Sequence, residues 1–592
     1  MSQPAQEVFS VEGLLELYAR QDWDELSLRL LRSLAAFGLL KISVLDAQAQ
    51  YRLDRFVQHF LFVFSQPDYV IPVTHRAGFV QSNSVISNLV AISSTRTTDA
   101  YLPLIVGHDN LVKLMALYSA RNHSRLHAKQ FFDVNPQAAS IWYWHFLRVF
   151  PSALADENAY LHLRYQLADP DPRLQADLIC CDGFFGSTYI NSQTDMHLKR
   201  RLNQALRADF ESTGVSLAPS SGSRRLGVVT GTWREGHSVY RNHFDMVAAL
   251  KDDYELVLLN TARPEVKLAD TGLFQEVLDV RLQANGLPLA DLIRQNFAVL
   301  YFTDIGLTAE SLLLANCRLA PLQMTSYGHS VSTFGADIDY YIASETVEDL
   351  DLLQENYSER VVLLPGLGVT NVRPNYTEVE PVRRSDRVVI SCSWYGQKVN
   401  PPLLRALEAV LERCPPQSVL FRFFPGGLPQ GHFLPFAQSI CESLGPENVE
   451  VCPPMPYQQY MEAMNQGHFA LEPFPFGGCN TIVDSLHLRQ PIVVCQGKRW
   501  YSRVGSAILK EAGLSELVTQ NSQQYIDKIV QLVEDPDYLA GLRRRLQSLD
   551  LDELLYSKNY AHQFKAAVDY LYAEHPRLAA SGSREPVRIP AL

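Results

Sequence analysis

The chain has 592 residues, 47% of them hydrophobic and 20% charged, with a formal net charge of -12. That length exceeds a single core and implies three or four domains of ordinary globular composition. The acidic balance argues against general nucleic-acid or anionic-membrane binding, and no apolar run reaches the roughly 18 residues that a membrane span needs.

The opening residues Met1 to Glu7 carry neither the basic nor the apolar region of a signal peptide, so the cytoplasm is the expected compartment. Over residues 1–211, stretches such as Val11 to Tyr18, Asp24 to Leu31 and Leu111 to Tyr118 repeat apolar residues at three and four, which predicts an α-helical domain. An odd number of cysteines, nine, with Cys180 and Cys181 adjacent and no CxxC pair, points to buried thiols rather than disulfides or zinc.

A Ser/Gly/Pro-rich stretch from Ser212 marks a boundary, and the pattern changes beyond it. Short β-rich runs at Leu226 to Thr230, Tyr254 to Leu259, Phe297 to Phe302 and Leu322 to Tyr327 alternate with helical segments, as in a parallel sheet covered by helices. A second boundary falls at Pro374 to Asp386, after which strands are expected at Arg387 to Cys392, Ser418 to Phe424 and Asn448 to Cys452, with a helix over Pro401 to Arg413. The fold class is therefore a helical amino-terminal domain (1–211), a first Rossmann-like half (212–378), a second (379–580) and a flexible tail (581–592). Ligands of such α/β units sit outside the carboxyl ends of the strands.

The most informative segment is Leu471 to Leu488, an apolar strand that ends in a Pro/Gly turn and breaks into a helix at Asn480-Thr481. A helix start there offers unpaired N–H groups and a positive dipole end to an anion, with Gly477 and Gly478 allowing close backbone approach. Asp484 lies one turn on, where its carboxylate can accept from a ribose hydroxyl. These parts suit a nucleotide diphosphate. The strand Pro491 to Cys495 and a helix over Trp500 to Lys510 continue the alternation.

Lys398 follows the strand ending near Ser393 and precedes a helix start, a place from which its ammonium can meet a diphosphate, although a solvated loop lysine has the same local sequence. In the first half, His237, Arg241 and His243 cluster after a strand, and His329 lies at another strand end beside Gly328. These are candidates for accepting a proton or orienting a substrate, and spacing does not assign a base among them. Asp337-Ile338-Asp339 matches a short acidic pattern used for divalent ions, but it introduces a strand instead of following one, so no metal is expected.

Together, His237 to His243, Arg318 to Gln323 with Gly328-His329, Lys398 to Pro401 and Pro473 to Asp484 resemble the cytoplasmic N-glycosyltransferases that modify bacterial high-molecular-weight adhesins. More distantly they resemble the O-linked N-acetylglucosamine transferase, a relative in glycosyltransferase family 41. The resemblance implies a GT-B fold, a UDP-sugar donor, commonly UDP-glucose, no further cofactor, and inverting transfer to Asn in Asn-x-Ser/Thr of an acceptor protein such as an adhesin. It places Lys398, Gly478, Asn480, Thr481 and Asp484 on the donor, and His237, Arg241, His243 and His329 on the sugar and acceptor side. Pro453-Pro454 stands where the adhesin enzymes carry histidine, and Gly427 where they carry a polar donor-binding side chain. Arg499 to Arg503 is closer to the O-linked enzyme, which keeps transfer to Ser/Thr open, as is a non-catalytic scaffold that retains a nucleotide pocket.

Overall fold

The computed structural model describes residues 9–40, 43–105, 110–177, 179–190, 194–216, 223–283, 286–380, 387–429 and 431–589. By compactness the chain forms two units, one of residues 1–198, 394–408 and 422–454, the other of residues 199–393, 409–421 and 455–592.

The amino-terminal region is helical. Its elements include α1 (Trp23–Leu39), α2 (Ala47–Ser65), α3 (Pro136–Leu147) and α4 (Thr194–Ser212). Local chemistry sets their starts: the carboxylates of Asp22 and Asp46 accept from the N–H groups of Glu25 and Ala49, and Asn135 caps α3 ahead of a proline at its first position. The core between helices is strongly aromatic, with Phe131 and Trp142 centroids 4.5 Å apart and the Tyr118 hydroxyl 2.8 Å from Nε2 of the fully buried His162.

The first Rossmann-like half comprises β1 (Arg225–Thr230), β2 (Glu255–Asn260), β3 (Glu276–Asp279), β4 (Val299–Phe302), β5 (Leu322–Thr325), β6 (Tyr340–Ser344) and β7 (Arg360–Leu364), with helix α5 (Ser238–Ala248) after β1. The strands are parallel, and β1, β4, β5 and β6 are buried along nearly their whole length, which accounts for the apolar runs of β1, β4 and β6. β3 is a largely exposed edge strand and carries no such run.

The second half contains β8 (Val388–Cys392), β9 (Val419–Phe423), β10 (Val449–Val451), β11 (Phe469–Leu471), β12 (Ile492–Cys495) and β13 (Val518–Thr519), in the spatial order β10-β9-β8-β11-β12-β13. Its helices include α6 (Pro401–Arg413), α7 (Tyr457–Asn465), α8 (Asn480–His487) and α9 (Val504–Glu511), and α10 (Asn559–Ala580) follows. A single helix over Trp500 to Lys510 is not observed. A 3₁₀ turn, Trp500–Ser502, precedes α9, closed by the Ser502 hydroxyl donating to the Arg499 carbonyl at 2.8 Å.

The expected flexible tail is also corrected. β14 (Val587–Arg588) pairs in parallel with Val362 and Leu363 and completes the first sheet in the order β14-β7-β6-β5-β4-β1-β2-β3, with Val587 and Ile589 buried. Two apolar residues in a polar segment are enough when an edge strand has unpaired backbone to offer. Residues 590–592 lie outside the described residues. No disulfide joins the nine cysteines, five of which are buried, and among the described residues no helix is long and apolar enough to cross a membrane.

Candidate functional site

Strand β11 ends at Leu471, and the chain turns through Glu472 to Cys479 before entering α8. Gly477 makes the turn possible: a Cβ there would lie 2.5 Å from Glu472 Oε1 and 2.6 Å from the Tyr501 carbonyl oxygen. The sequence predicts that this glycine-rich surface admits a ligand, with Gly478 as a contact. Instead the Glu472 carboxylate fills it, accepting from the Gly478 N–H at 2.9 Å, because a buried acid next to a helix start takes whatever donors the turn supplies.

Helix α8 begins at Asn480 with Cys479 in the cap position, and no side chain caps it, so neither Asn480 nor Thr481 acts as the cap. Asn480 Nδ2 donates to the Ser238 carbonyl at 3.3 Å, tying α8 to the start of α5, while its buried Oδ1 meets no hydrogen-bond donor among the described residues. Thr481 is half-buried beside it. The Glu472 carboxylate, bonded to the Gly478 N–H, is the acid nearest the positive end of α8, and Cys479 adds no side-chain cap bond.

Asp484, on the next turn, is buried, and its Oδ1 accepts from Arg241 Nη2 at 2.8 Å and from the Tyr457 hydroxyl at 2.6 Å. Arg241 Nη1 also donates to the Tyr457 oxygen at 3.3 Å, and the guanidinium lies 5.6 Å from that ring's centroid. Burial opposes the charge on Arg241, but Asp484 and Tyr457 outweigh it and raise its pKa. Arg241 and Asp484, assigned by the resemblance to opposite sides of the substrate, therefore form one buried ion pair. The Asp484 carboxylate is held in one orientation by α5 and α7.

The three histidines occupy different surroundings. His237 caps α5, its Nδ1 accepting from the Val239 N–H at 3.2 Å, which leaves the proton of the neutral ring on Nε2. Burial, with Arg234 nearby, lowers its pKa to about 4. His243 is fully buried; its Nδ1–H donates to the Val239 carbonyl at 2.8 Å, and its Nε2 lies 3.1 Å from Ser326 Oγ, which is itself 2.7 Å from the Tyr301 hydroxyl. Burial holds its pKa at about 4 also. His329 is buried, with Nε2 2.9 Å from the ammonium of Lys199, and burial followed by that positive charge takes its pKa well below the usual range. Each ring is neutral, and each has its basic nitrogen committed to a protein donor. They are built to donate hydrogen bonds rather than to remove protons.

Lys398 closes a 3₁₀ turn, Gly396–Lys398, its N–H donating to the Tyr395 carbonyl at 2.7 Å and its own carbonyl accepting from Asn400 Nδ2 at 3.2 Å. Asn400 Oδ1 in turn accepts from the Leu403 N–H at 3.1 Å, at the start of α6. Lys398 belongs to the first compact unit, whereas His237, Arg241, His243, His329, Gly478, Asn480, Thr481 and Asp484 belong to the second. Asp337 and Asp339 are both paired with Arg318, and Asp339 Oδ2 also accepts from the Gln323 N–H at 2.8 Å. That acidic pair fastens the start of β6.

Sequence reasoning missed Tyr457, Glu472 and Lys199. Glu472 had a local signal, an acid directly after a strand and before the Pro/Gly turn. Tyr457 and Lys199 had none, since each meets its partner across a long stretch of chain. Asp304 was also missed: at the carboxyl end of β4 it is fully buried and accepts from the hydroxyls of Thr230 and Thr232 at 2.7 Å each, burial raising its pKa.

Residues 380–564 match the model of glycosyl transferase family 41. The chain is 26% identical over 382 residues to "UDP-glucose:protein N-beta-glucosyltransferase" of Actinobacillus pleuropneumoniae serotype 5b, a match covering 61% of this chain and 60% of that protein. It is 27% identical over 269 residues to a Petunia hybrida protein named "Probable UDP-N-acetylglucosamine--peptide N-acetylglucosaminyltransferase SPINDLY", covering 44% and 28% respectively. The chain thus spans less than two thirds of the length of these relatives. Among solved structures, a Lys-to-Met mutant of the Thermobaculum terrenum O-GlcNAc transferase superposes with a TM-score of 0.57 at 18% identity, covering 98% of this chain and 99% of that one. The fold is of the GT-B type preceded by helices, and residues 380–564 match the glycosyl transferase family 41 model.

Proposed function

We propose that this protein is an inverting, UDP-sugar-dependent protein N-glycosyltransferase that moves a hexose, glucose in the leading reading, to Asn in Asn-x-Ser/Thr sequences of an acceptor protein such as an adhesin. The observation that carries this reading is the 26% identity over 382 residues to an enzyme named for that activity. The start of α8 supports it, since Cys479 makes no side-chain cap bond there and a helix start turns the positive end of its dipole toward an anion such as a departing UDP. In this reading Asn480 and Thr481 meet the phosphates or sugar, Asp484 meets the ribose, and Lys398 supplies a cation to the diphosphate. The helical residues 1–211 bind the acceptor. With Lys398 and α8 supplying the positive field, turnover needs no added divalent ion, and the reaction belongs in the cytoplasm.

Chemically, the acceptor amide nitrogen forms a bond to the anomeric carbon as the bond from that carbon to the UDP oxygen breaks on the opposite face, and the amide proton passes to solvent water. His237 and His329, neutral with committed lone pairs, act as hydrogen-bond donors to sugar or acceptor oxygens. His243, bonded at both nitrogens, supports the strand end at Ser326.

Transfer to Ser/Thr is the second reading, favoured by the similarity to the SPINDLY protein and by the Arg499 to Arg503 segment. Peptides carrying both acceptor types, incubated with UDP-glucose and read by fragmentation mass spectrometry, separate the outcomes. Hexose on Asn supports the proposal, hexose on Ser/Thr replaces it with the second reading, and no modification of either leaves a non-catalytic nucleotide-binding protein.

A further inference from the structure

Residues 328–335 form a loop after β5 that several buried groups hold in place. The Glu359 carboxylate accepts from the Ser332 hydroxyl at 2.7 Å and the Thr333 N–H at 2.8 Å, and the Tyr341 hydroxyl donates to the His329 carbonyl at 3.1 Å. A Cβ on Gly328 would collide with the Thr303 carbonyl, so the loop is pressed against the end of β4. Helix α4 also fastens this loop. Asn203 Nδ2 donates to the Thr333 carbonyl at 2.7 Å while its Oδ1 accepts from Asn316 Nδ2 at 2.9 Å. One turn earlier on the same helix, Lys199 is fully buried, with Nζ 2.9 Å from His329 Nε2 and 5.9 Å from the centroid of Phe334.

An ammonium has three protons and no lone pair, so in this contact Lys199 donates and His329 Nε2 accepts. The imidazole is then neutral, and its one proton is on Nδ1. We propose that Lys199 is a positioning residue for transfer, fixing His329 as a neutral Nδ1–H donor. The assignment rests on the reading that His329 lines the sugar and acceptor side. It also gives α4 a direct part in the site, a role that neither its amphipathic pattern nor the resemblance assigns.

Among the described residues, groups from several elements face the ring and its loop. Lys199 of α4 is the charged group acting on His329, and it opposes a second positive charge there. Tyr341 of β6 meets the backbone carbonyl, Glu359 accepts from Ser332 and Thr333, and Arg499 lies 5.3 Å from the Phe334 centroid. Removing Lys199 removes the donor that selects the tautomer and the positive charge that adds to burial in keeping the ring neutral.

The test is nitrogen NMR of the full chain labelled with ¹⁵N-histidine, with His329 assigned by its loss in His329→Gln. Wild-type protein should show an unprotonated Nε2 and a protonated Nδ1 from pH 5 to 8. A folded Lys199→Met variant should show a tautomer mixture or a titration within that range. Its kcat with UDP-glucose and peptide should fall roughly 10- to 100-fold, with KM for UDP-glucose little changed, as a misplaced group in the reacting geometry requires. A wild-type ring protonated on Nε2 overturns the inference, and that reading stands even when Lys199→Met does not fold. An unchanged His329 spectrum or an unchanged kcat in folded Lys199→Met also overturns it. The NMR reading is independent of whether the protein glycosylates Asn, so failure of the functional proposal and failure of this one are distinguishable.

Discussion

The buried pair of Arg241 and Asp484 makes the most demanding prediction. Their side chains are 7% and 4% exposed, with Tyr457 as a shared partner. Removing one member of such a pair strands a buried charge, at a cost of about 3–5 kcal/mol. For Arg241→Met the lower end is expected, because Tyr457 still donates to Asp484. The double variant Arg241→Met/Asp484→Leu should recover most of that loss, since no unpaired charge remains. The functional consequence is separable. If Arg241 orients the carboxylate that receives the ribose, losing one charge-assisted hydrogen bond of about 1.5–3 kcal/mol weakens UDP roughly 10- to 150-fold. Asp484→Ala should weaken it similarly. Urea denaturation followed by tryptophan fluorescence gives the stabilities, and calorimetric UDP titration gives the affinities. The reasoning is refuted if Arg241→Met binds UDP as tightly as wild type while losing only turnover, which would return Arg241 to the acceptor side alone, or if the double variant is less stable than both singles.

Lys398→Ala should lower turnover with UDP-glucose by at least tenfold without shifting the melting temperature, since it removes a cation from the leaving diphosphate in a half-buried turn; steady-state kinetics beside a thermal scan decide this. Transfer should persist in excess chelator, and activity abolished by EDTA but restored by magnesium or manganese would count against the assignment of positive charge to Lys398 and α8. Gly477→Ala should disorder the turn before α8 and depress UDP binding, because the added Cβ meets the Glu472 carboxylate and the Tyr501 carbonyl at 2.5 and 2.6 Å; an unaltered UDP titration would refute it. The buried histidines set an acid limit. His162 and His243 are each held at about 4 against an ordinary 6.5, so the unfolded chain binds their protons first as pH falls. Their contribution is complete above about 6.5 and is lost between there and about 4, at roughly 1.4 kcal/mol per pH unit for each ring. Melting temperature should therefore drop steeply from pH 7 to 5, and His243→Gln should flatten that slope.

Sequence periodicity determined a good deal of this protein. The apolar runs of β1, β2 and β4 announce strands buried on both faces, because a parallel sheet covered by helices leaves no polar side to encode. The strand, Pro/Gly turn and helix around Asn480 were legible for a similar reason, since turn chemistry and helix starts are local properties of a few adjacent residues. What tertiary structure alone decided is which charges meet. Arg241 and Asp484 are 243 positions apart, and Lys199 and His329 are 130 apart. Nothing in the residues flanking any of them encodes the partner. Long-range pairing of that kind depends on how helices α4, α5, α7 and α8 are brought together by packing. Packing is also what turns three histidines that resemble bases in sequence into neutral donors: burial removes the solvent that would stabilise their charge, and a specific donor takes up each lone pair.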